Sequence, residues 1–276
     1  MNPSTRLLVN SLAKNPPNSI GLNGPSDSGK FKIAEYLCAK ALNMQPVNFN
    51  FKIKAIDCAE DIGIDDVRAL KKELSVKSVG QDNFRRAVIF KNFHKMSTPA
   101  QNSILKLLEE PPIDTLLIIL VDSKNGILPT IVSRLQWIDV LPLDLATLEQ
   151  NYNSHSKSLA KQAFLLSDGY IVSFEKNIND ENTPIKSAVN DAKNILKMKR
   201  VERVSSIERI INSQDYTPED FLNALQKIYL TLVRREVDSA VSARILSGLE
   251  HVIKTKESLK YNSNPKLIFT NLFYKI

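Results

Sequence analysis

A chain of 276 residues with 43% hydrophobic content holds more apolar material than one compact core, so two or three domains are expected and wholesale disorder is excluded. Its net charge of +7 is spread evenly rather than gathered in a stripe or tail, which favours a solvated surface over a dedicated nucleic-acid binder. The longest apolar run, Leu116 to Val121, is too short to span a bilayer, the first residues lack the apolar stretch of a signal peptide, and Cys38 and Cys58 are too few for a disulfide framework. A cytoplasmic protein with two small buried thiols and no metal site is therefore expected.

The first predicted elements are a short apolar strand, Ser19 to Leu22, and a helix from Lys32 to Leu42 carrying Ile33, Ala34, Leu37 and Ala41 at helical spacing. Between them lies Gly24-Pro25-Ser26-Asp27-Ser28-Gly29-Lys30-Phe31, which fits G-x-x-x-x-G-K. In such a loop the backbone amides converge on an anion at the helix N-terminus, so Gly24, Gly29 and Lys30 are the candidate phosphate-binding residues. The motif ends in Phe31, where a working loop needs a Ser or Thr hydroxyl to hold Mg²⁺. Glycines at 24 and 29 would also suit a plain tight turn, but the order strand, loop, helix favours a phosphate loop, working or vestigial.

Phe51 to Ile56 alternates as a second strand ending at Asp57, and Asp65-Asp66-Val67-Arg68-Ala69-Leu70 opens a helix with acids in its first turn. Ala87 to Phe90 is a third, buried strand. Lys91 and Asn92 follow it where an ATPase of this type places its metal-binding and catalytic carboxylates. His94 is the nearby base, although a lone His after a strand is more often structural than catalytic. Thr98 is expected to cap the next helix, with Pro99 at its first position and Gln101 completing a capping box; Ile104, Leu105, Leu107 and Leu108 form its apolar face and Pro111-Pro112 stops it. Leu116 to Val121 and Gln136 to Val140 complete five strands, and their alternation with helices indicates an α/β parallel sheet covered on both faces.

Beyond Asp144 the pattern is wholly helical. Leu159, Ala163, Phe164 and Leu166 recur before Gly169, and the polar stretch Asn177 to Pro184 is a plausible linker. A later helix carries Phe221, Leu222, Leu225, Ile228, Tyr229, Leu232 and Val233 on one stripe, and another carries Val241, Ile245, Leu249, Val252 and Ile253.

Four segments together resemble a known family. Asp66 to Leu70, Ala87 to Phe90, Ala100-Gln101-Asn102-Ser103-Ile104-Leu105-Lys106-Leu107-Leu108-Glu109-Glu110-Pro111-Pro112 and Leu128-Pro129-Thr130-Ile131-Val132-Ser133-Arg134 are similar, in sequence, order and separation, to the AAA+ clamp-loader subunits of bacterial DNA polymerase III. The similarity covers the first 144 residues and continues weakly through Ser167-Asp168-Gly169 and Asn264-Pro265-Lys266-Leu267. It implies a P-loop AAA+ domain over residues 1–144, a small helical lid over 145–180 and an all-α oligomerisation collar over 181–276.

Motor subunits of that family keep an intact phosphate loop and paired acids, whereas another class of subunit has a degraded site, and Phe31, Lys91 and Asn92 put this chain with the latter. The family's lid arginine, expected three residues after Gly169, is Val172 here. The chain also lacks a cysteine-rich zinc module between its first helix and second strand, and has Leu135 where the Ser-Arg motif usually continues with Cys. The resemblance implies a non-hydrolysing scaffold of the DNA polymerase III clamp loader, requiring no cofactor of its own, with ATP binding at its own loop vestigial. Its implied partners are the motor subunits and the delta subunit, with the sliding clamp and primed DNA reached through the complex. Arg134 would be an arginine finger acting in trans on a neighbour's ATP, with Ser133 fixing its loop; the plain alternative is an exposed or salt-bridged arginine. Elementary chemistry agrees on hydrolysis, because phosphoryl transfer needs a metal held by hydroxyl and carboxylate and a group that orients water. Two other readings stay open: an active motor ATPase with divergent motifs, and an independent nucleic-acid-binding protein.

Overall fold

The computed structural model describes residues 1–43, 52–60, 62–75, 84–152, 155–180, 183–235, 239–259, 261 and 264–276. They form two compact units, Met1–Asn151 with Gly169–Ser173, and Tyr152–Asp168 with Phe174–Ile276. The 145–180 segment is shared between them. The start of the expected second strand, Phe51, lies outside the described residues.

In the first unit the elements are α1 (Pro3–Lys14), β1 (Ser19–Asn23), α2 (Lys30–Ala41), β2 (Ile53–Asp57), α3 (Ile64–Ser75), β3 (Arg86–Lys91), α4 (Thr98–Glu109), β4 (Thr115–Val121), α5 (Pro129–Val132), β5 (Gln136–Asp139) and α6 (Leu145–Asn151). The strands make one five-stranded sheet in the order β2-β3-β4-β1-β5 with every pairing parallel. The central strand β4 is buried along its whole length, as its unbroken apolar run requires of a strand covered on both faces. Successive side chains alternate between two cores. Val88, Phe90, Leu117, Ile119 and Val121 pack with α3 and α4, while Ala87, Ile89, Leu116, Ile118 and Leu120 pack with α1 and α2. Cys38 and Cys58 are free and buried, and burial pushes both thiols up to about 12.

One local expectation is corrected. The cap of α4 is Ser97, whose hydroxyl accepts from the Ala100 amide at 3.4 Å, not Thr98. A capping-box partner sits three residues after the cap, so Gln101 is one position too late and turns inward. Buried there, its amide donates to the carbonyls of Met96 and Gly126, each at 3.0 Å, and its oxygen accepts from the Leu128 amide at 3.0 Å. Gln101 thus fastens the loop that leads into α5.

The second unit contains α7 (Lys157–Ser167), most of α8 (Ile171–Asn179), α9 (Pro184–Lys197), α10 (Arg200–Ser205), α11 (Ile207–Ile211), α12 (Pro218–Arg235), α13 (Ser239–Leu259) and α14 (Pro265–Lys275). Phe221, Phe269 and Phe273 meet at its centre with ring centroids 5.9 to 6.3 Å apart, and Leu222, Leu225, Tyr229, Leu249 and Val252 pack around them. The buried stripe is narrower than the apolar one: Leu232, Val241 and Ile253 are exposed. Asn177, read as the start of a linker, is instead buried in α8 and accepts a hydrogen bond from the Thr183 hydroxyl at 2.9 Å.

Gly21 permits the closest approach in the sheet, since a Cβ there would lie 2.4 Å from the Trp137 ring of the adjoining β5. The indole in turn donates to the Val132 carbonyl at 2.9 Å, steadying the segment before Arg134. Gly21→Ala is expected to destabilise the first unit by about 1–3 kcal/mol through overpacking, measurable as a lower urea midpoint.

Candidate nucleotide site and arginine loop

Parallel pairing brings the carboxyl ends of β1, β3 and β4 to one edge of the sheet, and Asn23 lies opposite Val121 and Asp57 opposite Lys91. The chain leaves β1 through Gly24, makes a short turn at Ser26–Ser28, and enters α2 from Gly29, which adopts φ 80° and ψ 16°. Only a residue tolerant of positive φ makes that entry without strain. The helix therefore begins at Lys30, two residues earlier than expected. Gly24, Gly29 and Lys30 lie in the turn between β1 and α2, where the sequence puts the G-x-x-x-x-G-K motif.

The lysine of that motif is not free. Lys30 is 6% exposed, and its ammonium donates to the Gly24 carbonyl at 2.8 Å and to Oδ1 of Asp122 at 2.5 Å. Asp122 is the first residue after β4, and its own amide donates to Nδ1 of His94 at 3.3 Å. Burial holds His94 below the ordinary imidazole range, opposed by the Asp122 charge. A neutral ring whose Nδ1 is already accepting suits the structural reading of His94 better than a catalytic one.

The remaining departures from an ATPase site touch one another. Lys91 ends β3 with its ammonium 3.2 Å from Oδ2 of Asp57 and 5.6 Å from the centroid of the Phe31 ring. Asn92, at φ 53°, donates from its side-chain amide to Oδ1 of Asp57 at 2.8 Å. Val172, at the position of the family's lid arginine, lies against the loop, with Cγ2 3.8 Å from where a Gly29 Cβ would stand. A Mg²⁺ ion requires several oxygen ligands in near-octahedral array. An aromatic ring and an ammonium supply none, so these residues do not fit a Mg²⁺-nucleotide.

Beside the loop is a cavity of about 170 Å³ whose lining includes Ser28, Gly29, Lys32, Ile33, Leu141 and Tyr170. Its edge is held by α1: Asn2 donates to the Pro142 carbonyl at 2.7 Å, and the Thr5 hydroxyl donates to Asp139 and accepts from the Leu141 amide.

Ser133 and Arg134 lie elsewhere. They follow α5 and precede β5, whose first residue, Gln136, pairs with Ile20 near the start of β1. Four strand rises separate Ile20 from Gly24 at the start of the phosphate loop, roughly 13 Å. Arg134 is exposed, with Nη2 2.8 Å from Oε1 of Glu109 and Nη1 donating to the Thr130 carbonyl at 2.7 Å. The Ser133 hydroxyl donates to the same carbonyl at 3.1 Å. Sequence reasoning did not single out Asp122 as a site residue, although a residue directly following a buried strand adjacent to a phosphate loop is where it could have been sought.

A five-stranded parallel sheet in this order, with a glycine loop after the first strand and a helical C-terminal region, is the AAA+ type of P-loop fold. The chain belongs to the family described as DNA polymerase III, delta subunit, whose profile matches residues 3–144, and the clamp-loader delta-prime resemblance holds. The delta' subunit of DNA polymerase III from Bacillus subtilis is 28% identical over 117 residues, 42% of this chain and 35% of the relative. That of Pseudomonas aeruginosa is 30% identical over 148 residues, 46% of this chain and 44% of the relative. The matched stretch thus spans less than half the length of either relative. A DNA polymerase III gamma subunit-related protein from Thermotoga maritima shares the fold, with a TM-score of 0.54 at 20% identity, over 98% of this chain and 97% of that one. Among the described residues no helix is long and apolar enough to cross a membrane.

Asp57 gives the site a measurable signature. The Asn92 amide foremost, with the Ala59 amide and Lys91, holds its carboxyl below the usual range against the opposing effect of burial. A carboxylate lowered in the folded state contributes stability above its unfolded value of about 3.9, and that contribution is lost as pH falls through the folded value. Asn92→Gly keeps the positive φ while removing the principal hydrogen bond. It is expected to raise the Asp57 pKa towards the ordinary value in an NMR carboxyl titration, lowering stability at neutral pH and making the acid limb of the stability curve shallower.

Proposed function

We propose that this chain is a non-hydrolysing scaffold subunit of a clamp loader, helping ATP-driven partners load a sliding clamp on primed DNA. The observation that carries the reading is the contact of Lys91 with Phe31. The side chains at the metal's two protein-ligand positions are engaged with each other and with Asp57, so a cation of the protein replaces the metal's place and charge. Asn92 cannot act as a carboxylate base, and Val172 brings no charge to the loop. In this reading the partners are the motor subunits and the delta subunit, residues 145–180 serve as the lid, and 181–276 as the collar.

Arg134 is then the active contribution to the assembly. It is exposed, and it sits at the edge of the sheet remote from its own loop, so a phosphate that it reaches belongs to a neighbour. Its pair with Glu109 is half-exposed, and pairs of that kind contribute only about 0–1 kcal/mol, so the guanidinium can leave at little cost. Ser133 shares the Thr130 carbonyl with it and restricts the loop.

The purified chain is expected to show no Mg²⁺-dependent ATP turnover above background, and Lys30→Ala to leave its incorporation into the complex unchanged. Turnover abolished by Lys30→Ala would make it a motor ATPase instead. Arginine fingers are worth roughly 10³–10⁵ in rate at the site they serve. Other sites keep turning over, so Arg134→Ala should lower the clamp-stimulated ATPase of a reconstituted complex several-fold, by about 2–5 times, without weakening assembly. Arg134→Lys should restore little, since a point charge lacks the planar fork that grips phosphate oxygens. Full loading activity with Arg134→Ala in a correctly assembled complex would reduce this residue to surface charge.

A further inference from the structure

We infer that Asp122 is a built-in anion: its carboxylate occupies the phosphate-binding loop's lysine, and this, beyond the loss of the metal ligands, is what makes the loop refuse phosphates. The inference deepens the non-hydrolysing reading and rests on it. The missing metal ligands account for lost hydrolysis. They would not by themselves prevent binding, because a phosphate loop holds its ligand mainly through backbone amides and its lysine.

The parts of the cradle are still present. Gly29 keeps the left-handed conformation that turns the loop into α2, and the first turn of that twelve-residue helix has no side-chain cap. Ser28 is 5% exposed, and its hydroxyl finds no hydrogen-bond partner among the described residues and lies 3.1 Å from where a Gly24 Cβ would stand, within the loop. A buried hydroxyl without a partner is costly and uncommon. It marks a place where a hydrogen-bonding ligand would be stabilised.

What fills the lysine's valence is the protein itself. An ammonium has three donors. Two are taken, by the Gly24 carbonyl and by Asp122, in a side chain only 7% exposed. The carboxylate is placed there by the sheet, because Asn23 pairs with Val121 and the Gly24 amide donates to the Val121 carbonyl at 3.1 Å, which sets Asp122 next to Gly24. His94 fixes the Asp122 backbone from the other side. An incoming phosphate must therefore displace a short ion pair while approaching a like charge, and both effects oppose it.

Removing the charge alone should reopen the loop. With Asp122→Asn the Lys30 ammonium lacks its counter-ion, so the variant is expected to melt below the parent and to be restored by an added oxyanion. Binding should be independent of metal, because Lys91 stands where a metal would. The experiment titrates the parent chain, Asp122→Asn, Asp122→Ser and the double variant Asp122→Asn with Lys30→Ala against ATP and inorganic tripolyphosphate, in EDTA and in Mg²⁺. Calorimetry and thermal melting provide the readouts. Asp122→Asn is expected to bind both probes about tenfold or more tightly than the parent, as one regained charge-assisted contact allows. The gain should be equal in EDTA and Mg²⁺ and absent from the double variant. Asp122→Ser keeps the question decidable if the amide variant does not fold. Equal affinity of parent and folded Asp122 variants, or no binding by either variant, would overturn the inference, as would a gain that appears only with Mg²⁺ or survives loss of Lys30. ATP turnover by the parent chain would instead overturn the non-hydrolysing reading, so the two failures are distinguishable.

Discussion

The parallel pairing of β1 with β4 is the constraint on which the site depends. A register shift of one residue would turn every side chain of a strand to the opposite face, and here both faces are buried, so the register is firmly specified. Ser19 opposite Leu117 and Asn23 opposite Val121 follow from it. Once those pairs are set, Gly24 and Asp122 must emerge side by side, and Lys30, one turn of loop later, meets a carboxylate at the distance of a short ion pair. The same register between β2 and β3 sets Asp57 opposite Lys91. The polar edge of the sheet is therefore a product of its apolar interior.

That edge does not fit a Mg²⁺ ion, and its two lysines, Lys30 and Lys91, are each paired with an acid. Lys91 would be a repelled cation in a working site. Here it has an acid partner and an aromatic face, and the acid is also held by Asn92, whose left-handed conformation suits that residue type. Reversing one substitution alone would not rebuild a motor. A hydroxyl at position 31 removes the ring under Lys91, and a carboxylate at position 91 faces Asp57 with the same charge. The four residues form one cluster, and their effects are expected to be strongly non-additive.

Much of this was legible in the chain. The strands β1, β3 and β4 announced themselves by apolar runs and β2 by alternation, and the G-x-x-x-x-G-K spacing located the turn into α2, because periodicity and glycine placement are local properties. Gln101 was legible only as a helix-start residue. That its amide instead bonds the carbonyls of Met96 and Gly126 depends on a loop twenty-five residues away, which no local pattern encodes. Asp122 was hidden for the same reason: a single acid after a strand means nothing until the neighbouring strand is known. In the helical unit the apolar stripe overstated the core, since Leu232 sits on the correct face of α12 yet remains exposed. A stripe specifies direction, and burial also requires a facing element.

The two edges of a parallel sheet are chemically unlike, and here they are separable. The loop of Arg134 is supported by Gln101 through Leu128, by Trp137 through Val132, and by Gly21 through the room it leaves for the indole. Among the described residues, Lys30 bonds Gly24 and Asp122, and Lys91 pairs with Asp57, with none of these supports between them. Sites more than about 10 Å apart without shared partners change nearly independently. Substitution at one edge therefore places little demand on the other, and in the proposed reading a chain whose own loop does not fit a metal still holds a guanidinium for a phosphate presented from outside. The sheet holds both edges in one unit and fixes the position of Arg134, which is what the proposed role requires.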